Sequence, residues 1–297
     1  MKTFLKKWVT KFLLVCAFAS CFAVAPCHGN SLLDKDGNPT PPLRDLIDKI
    51  GGDRRWSTEE INDFLQEKFF SKECGERWKI EKLIDDERWP ELEPIFASLG
   101  MINPVKPLAD HYHYVVCMGQ SVPMMRMQLQ FVKNLQTAGL LNFKRIVFLC
   151  SNRTLNGQFE GTDPVYLRAE HESAAAKVLL NEYFPRRSTP WTVITVSTSG
   201  KSKHINTQDT ICQWLKTRPR ISSVLMVSNN PFIPYQFETF YGELQRQGWF
   251  QRGGSLDFCG NSIVQKYSEN NRTSIMLDNV ARTLYTEIRN CAHCCEK

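Results

Sequence analysis

Two carboxylates stand where a pocket could use an acid or a base. Glu170 opens a run with helical spacing, and Asp209 lies inside Asn206-Thr207-Gln208-Asp209-Thr210. A carboxyl group at such a place can move a proton on a bound substrate. It can equally serve only its helix, because a negative charge in a first turn complements the helix dipole. Glu172 competes with Glu170 but falls on a different helix face. Around these acids lie groups suited to holding a polar molecule. Gly119-Gln120-Ser121 and Ser151-Asn152-Arg153 offer backbone N–H groups near helix starts, which suit an anionic group. Arg126 or Arg153 could clamp that group with a planar pair of donors. Asn206, Thr207, Ser228, Asn229, Asn230 and Gln236 could orient a substrate by neutral hydrogen bonds.

Each of these residues also has a plain structural role. Gly119 can turn the chain, Ser151 or Asn152 can close a turn, and Asn206 with Thr207 can cap the helix that follows. What favours a pocket is their common position, because each lies just after an apolar strand-like run. Those runs are Tyr112–Met118, Arg145–Cys150, Trp191–Val196 and Val224–Val227, with a shorter one at Leu256–Phe258. Between them, Met127–Leu135, Ala169–Phe184, Thr207–Leu215, Tyr235–Arg246 and Asp278–Arg289 carry helical spacing. Strands alternating with helices predict an α/β fold, a Rossmann-like three-layer domain with a mostly parallel sheet. Continuous apolar strands fit burial on both faces. In such sheets ligands bind beyond the carboxyl ends of the strands, where the polar stretches fall.

Ahead of this domain the spacing predicts a small helical region. Ser57-Thr58-Glu59-Glu60 reads as a capping box. Ile61, Phe64, Leu65 and Phe69 continue at helical spacing, Ile80, Leu83 and Ile84 extend it, and Leu92, Ile95, Phe96 and Leu99 make a further short helix. The chain divides into a leader at 1–29, a polar Pro- and Gly-containing linker at 30–42, a helical region at 43–108, the α/β domain at 109–290 and a Cys-rich tail at 291–297.

The leader has Lys2, Lys6, Lys7 and Lys11, then an apolar run from Phe12 to Ala25 broken by Ser20. That run is short of the ~20 residues that span a bilayer, and its anatomy is that of a signal peptide. Pro26 disfavours a cut after Ala25, so the expected cut follows Gly29. The chain then reads as exported and periplasmic. Two alternatives stand: an uncleaved N-terminal membrane anchor, and a lipoprotein attached through Cys21. The formal charge of the 297-residue chain is +6, and the leader holds four of its lysines and no acid, leaving 6 − 4 = +2. So small a balance gives no footprint for nucleic acid.

Of eleven cysteines, three precede Asn30. Cys117 and Cys150 lie within apolar strands and read as buried thiols. Export would permit disulfides. Cys291-Ala292-His293-Cys294-Cys295 has metal-ligand residue types but no second half at zinc spacing. A frayed tail, or a disulfide to Cys259 or Cys74, is the preferred reading. No GxGxxG, P-loop, GxSxG or HExxH motif occurs, so no cofactor is named. The sequons Asn152-Arg153-Thr154 and Asn271-Arg272-Thr273 matter only in a eukaryotic secretory route.

From about Tyr114 to Phe240 the order of these elements resembles the SanA/ElyC/YdcF-like family of bacterial envelope proteins. The positions that carry it are Val115–Gly119, Arg126, Leu149–Asn152, Glu170, Asn206-Thr207 with Asp209-Thr210, and Val227–Pro231. Leu277–Arg282 with Tyr285 marks a divergent branch. The His and Arg that the family carries after its fourth strand are replaced here by Ser228-Asn229-Asn230-Pro231, so chemistry resting on that pair does not carry over. The resemblance implies a Rossmann-like domain with an envelope role and supplies no reaction. Two functions remain open. One is an enzyme or binder for a small polar metabolite, phosphorylated or glycan-linked. The other is a non-catalytic factor that associates with the membrane surface or with envelope proteins.

Overall fold

The computed structural model describes residues 31–70, 86–160, 163–165, 168–197, 205–266 and 271–295. The spacing expected at Ile80, Leu83 and Ile84 and the leader itself lie outside these residues.

Five strands form one sheet: β1 (His111–Met118), β2 (Asn142–Ser151), β3 (Trp191–Val196), β4 (Ser223–Asn230) and β5 (Ser255–Ser262). Their order is β3-β2-β1-β4-β5, and every neighbouring pair is parallel. The fold is α/β and Rossmann-like. The strands hold because both faces are apolar at period two. On β1, Val115 and Cys117 join one core cluster, while Tyr114, Val116 and Met118 join the cluster on the opposite face.

Helices cover both faces. Helix α4 (Val122–Thr137) puts Val122, Met125, Leu129 and Val132 on its inner stripe, spaced three and four apart. It shares the first face with α6 (Glu172–Tyr183), which contributes Ala175, Ala176, Leu179 and Leu180. The second face is covered by α7 (Thr207–Lys216) and α8 (Ile233–Arg246), through Ile211, Trp214, Phe240 and Leu244. A short helix, α5 (Gly157–Glu160), lies between β2 and α6.

The N-terminal helices α1 (Pro41–Lys49), α2 (Thr58–Lys68) and α3 (Trp89–Ser98) build a separate cluster against the last helix, α9 (Arg272–Cys295). Leu43, Leu46, Ile47, Ile61, Leu65, Leu92 and Phe96 meet Met276, Leu277, Val280, Ala281 and Leu284 there. The box at Ser57 forms: its side chain accepts from Glu60 N–H, and the Glu60 carboxylate accepts from Ser57 N–H. The stretch expected as a linker is instead packed. Leu32 and Leu33 are buried, and Leu33 pairs antiparallel with Pro39.

Three further expectations change. Ser228-Asn229-Asn230 does not follow the fourth strand. It is the end of β4, fully buried and in register with Gly260-Asn261-Ser262 of β5. A side chain at Gly260 would place Cβ 1.8 Å from the Ser228 carbonyl oxygen, so the two strands can approach only because that residue is glycine. The tail is no frayed end, because α9 runs on to Cys295. Cys259 is a free buried thiol, as are Cys117 and Cys150, so it makes no bond to the tail. Cys212 is also a free thiol, while Cys74 lies outside the described residues. Among the described residues, no cluster of His, Cys, Asp and Glu could hold a metal ion, and no helix is long and apolar enough to cross a membrane.

Candidate functional site

The strand order reverses between β1 and β4. The helix after β1 lies on one face and the helix after β4 on the other. Open α/β sheets form their ligand crevice at the carboxyl ends of strands at such a reversal. Gln120 stands just past β1, and Ser228 and Asn229 close β4.

Gln120 spans that gap with both ends of its amide. Its Nε2 donates to Ser228 Oγ at 3.3 Å, and its Oε1 accepts from Asn229 Nδ2 at 3.1 Å. Asn229 Nδ2 also donates to the Met124 carbonyl at 3.2 Å, and Ser228 Oγ donates onward to Gln236 Oε1. Three side-chain amides and one hydroxyl thus form a neutral strap across the switch point. Asn229 Oδ1 is buried and has no protein donor. Beside the strap, Phe232, Ile263 and Ile275 form a small apolar cluster with Met124 and Met127 against it.

A second, charged group adjoins the strap. Arg153 Nη2 donates to the Gln120 carbonyl at 3.1 Å, its Nη1 to Glu160 Oε1 at 3.0 Å, and its Nε to Glu172 Oε2 at 2.7 Å. Ser151 Oγ donates to the same Glu172 oxygen at 2.8 Å. Glu160 Oε2 in turn accepts the Val122 N–H, the first of α4, at 2.5 Å. Burial raises the Glu172 carboxyl above its ordinary value, against the opposing pull of Arg153 and Ser151.

Backbone geometry fixes the acid that enters this site. Helix α6 begins at Glu172, three residues later than its expected start at Ala169, because the chain before it pairs with the segment after β2. Leu155 N–H donates to the Glu170 carbonyl, Glu172 N–H donates to the Arg153 carbonyl, and Thr154 bridges to His171. Glu170 therefore stands outside the helix with its side chain exposed. Glu172, one step into the helix, is driven into the sheet edge beside Gly119.

The other expected residues divide. Gly119, Gln120, Ser151, Arg153, Ser228, Asn229 and Gln236 belong to the connected network or line it. Asn152 sits beside it, its Oδ1 accepting from Ser173 Oγ at 3.1 Å. Asn230 faces away from Gln120, its Nδ2 donating to the carbonyls of Gly100 and Asn103. Asn206 and Asp209 cap α7 reciprocally, at 2.9 and 3.1 Å, and Thr207 is the first helical residue after that cap. Arg126 forms a two-pronged pair with Asp163, at 2.7 and 3.0 Å, and bonds Glu182 and Tyr183 as well.

The donors offered for an anion are thus already engaged by the chain itself. Gly119 N–H donates to the Leu149 carbonyl at 2.7 Å, Val122 N–H to Glu160, Arg153 to two carboxylates, and Arg126 to two more. A phosphate here would meet Glu160 and Glu172 with one guanidinium between them. Sequence reasoning missed Glu160, which comes from a short helix with no distinctive pattern. It also missed Gln128, which is fully buried and clasps both the N–H and the carbonyl of Met118. A polar residue on the apolar stripe of α4 was the readable sign of Gln128.

No family model matches the chain, and no curated protein matches it. Among solved structures the chain is similar to the E. coli tRNA N6-threonylcarbamoyladenosine dehydratase determined in complex with AMP. Identity is 8%, the match covers 62% of this chain and 88% of that one, and the TM-score is 0.27. A likeness of that size carries nothing about chemistry. The Rossmann-like assignment rests on the parallel order β3-β2-β1-β4-β5 itself.

Proposed function

We propose that this is an exported protein of the bacterial envelope that binds a small, uncharged polar ligand in the crevice between the ends of β1 and β4. One observation carries the reading: Gln120 joins Ser228 and Asn229 across the switch point. The side chains there are amide and hydroxyl with an apolar flank, which suits a ligand with hydroxyl or amide groups on a carbon frame. The phosphorylated alternative loses support because Glu160 and Glu172 occupy the donors it would need. Export and the envelope role rest on the leader and on the resemblance to the SanA/ElyC/YdcF-like family.

A thermal-shift screen tests the ligand class. Neutral sugars and amides are compared with their phosphorylated counterparts, on native protein and on Gln120→Ala. A neutral compound should raise the melting temperature of the native protein and have little effect on the variant. Stabilisation by the phosphorylated members alone would overturn the reading.

A further inference from the structure

We propose that the amino-terminal edge of the sheet docks on an anionic phospholipid bilayer through Leu108, Leu140 and three pairs of cations. This edge lies at the opposite end of the strands from the crevice. Neither the ligand nor export enters the argument.

All five strands are parallel, so the segments that enter them lie along one edge. The entries to β3, β2 and β4 each bring two cations: Arg186 with Arg187, Lys144 with Arg145, and Arg218 with Arg220. All six are exposed. No salt bridge joins any of them to a carboxylate among the described residues. In residues 106–111, 138–145, 184–190 and 216–222 the one acid is Asp110, and His111 pairs with it at 2.7 Å. The chain beyond its leader carries only +2, so this edge is strongly positive while the remainder is net negative. His113 on β1 lies between two of the pairs. Burial lowers its ordinary value, and Lys144, Arg220 and Arg145 lower it further. Arg218 closes α7 at φ +52°, a left-handed position that glycine usually fills. The chain thus accepts backbone strain at a residue that adds charge to this edge.

Beside these cations stand the two most exposed large apolar side chains among the described residues, Leu108 at 72% and Leu140 at 58%. Asn142 N–H donates to the Asp110 carbonyl at 2.7 Å, and each leucine lies two residues ahead of that bridge. Both are presented by pinned backbone. Leu108 N–H donates to Asp257 Oδ2 at 2.7 Å, and the buried Asp257 also accepts the Tyr112 hydroxyl. Leu140 N–H donates to the Leu135 carbonyl at 2.9 Å, just after Gly139 ends α4 at φ +70°. Such a helix end commonly folds the next apolar side chain back onto the helix. Here Leu141 is buried and Leu140 stays out. Leucines held out beside uncompensated cations match a bilayer, whose acyl boundary takes the apolar groups and whose phosphates take the charge. A nucleic acid would use the cations but gain little from the leucines, because its bases stack on aromatic rings.

The test mixes the full-length chain with vesicles and reads amide hydrogen exchange in residues 106–111 and 138–145. Mixed phosphatidylglycerol and phosphatidylethanolamine vesicles should slow exchange in both segments, and phosphatidylcholine vesicles should not. The concentration of anionic vesicles that gives half protection should rise about 25-fold in Arg218→Gln/Arg220→Gln, at roughly fivefold per cation. It should rise about tenfold or more in Leu108→Ser/Leu140→Ser. All four positions are exposed, so both variants should melt within about 2 °C of the native protein. No slowing, or equal slowing by phosphatidylcholine, overturns the proposal. So does a leucine variant that binds the anionic vesicles as the native chain does. A short DNA duplex that protects the same segments equally in the native and leucine-variant chains would make the partner a nucleic acid and overturn the lipid.

Discussion

Gly119 and Glu172 are in such close contact that a single added methyl group would separate them. A Cβ on Gly119 would lie 2.0 Å from Glu172 Oε1 and 2.7 Å from the Leu149 carbonyl oxygen. The glycine at the end of β1 therefore leaves room for a carboxylate that a different helix delivers. Gly119→Ala should destabilise the protein by about 1–3 kcal/mol, the range of overpacked buried sites. Part of that cost should vanish in the Gly119→Ala/Glu172→Ala pair, because the side-chain obstacle is gone while the carbonyl remains. Urea unfolding of the four proteins measures the coupling. Strict additivity would show that the two residues do not compete for the same space.

Arg153 is the only cation bonded to both Glu160 and Glu172 among the described residues. Removing one partner of a buried ion pair leaves the other charge without compensation, at about 3–5 kcal/mol. Arg153→Ala leaves two such charges, so a loss at or above the upper end of that range is expected. Arg153→Lys should recover little, since one ammonium cannot reach Glu160, Glu172 and the Gln120 carbonyl together. Equal stability of the Lys variant and the native protein in urea would refute the three-way bridge.

The protonation of Glu172 gives a signed dependence on pH. Its folded-state value is raised by burial, while the unfolded chain titrates near the ordinary value of about 4.3. Above that value the unfolded state releases its proton before the folded state does. Stability must then fall as pH rises from about 4.3 towards the raised folded value, and is fullest below that window. Glu172→Gln keeps an acceptor for Ser151 without the charge, so it should flatten this part of the profile of melting temperature against pH. A slope unchanged by the substitution would mean that another group sets it.

Much of the frame was legible because burial wrote it into the chain. β1, β2 and β4 are apolar on both faces, and no other arrangement covers such strands as simply as helices on either side. What stayed hidden came from contacts that local pattern does not encode. Ser228-Asn229-Asn230 read as lying past the strand because its residues are polar, yet partners on α4, α8 and the Gly100–Asn103 segment let them continue it. Glu170 looked like the first residue of α6. The pairing of Leu155 with Glu170 and of Arg153 with Glu172 delays the helix and exchanges one acid for the other. Leu32 and Leu33 followed no periodic pattern, and their burial comes from packing against the helices α1–α3 and α9 and from Glu287, at the opposite end of the chain.

The cap of α7 stands apart from the proposed crevice. Asn206 and Asp209 satisfy each other's backbone N–H groups, which is sufficient reason for both residue types at their spacing of three. Asn206→Ala should cost about 1 kcal/mol of stability, as loss of an N-cap does. It should leave binding of any neutral ligand found by the screen unchanged within twofold. Gln120→Ala should behave in the opposite way. Its side chain is half-buried and bonds only neutral groups, so the loss in stability should stay near 1 kcal/mol. The affinity should fall at least tenfold, because the Ser228 and Asn229 side chains would lose the amide that joins them across the switch point. Titration calorimetry on the two variants decides it. A tenfold loss in Asn206→Ala would instead bring the α7 cap into the binding site and move the crevice towards β3.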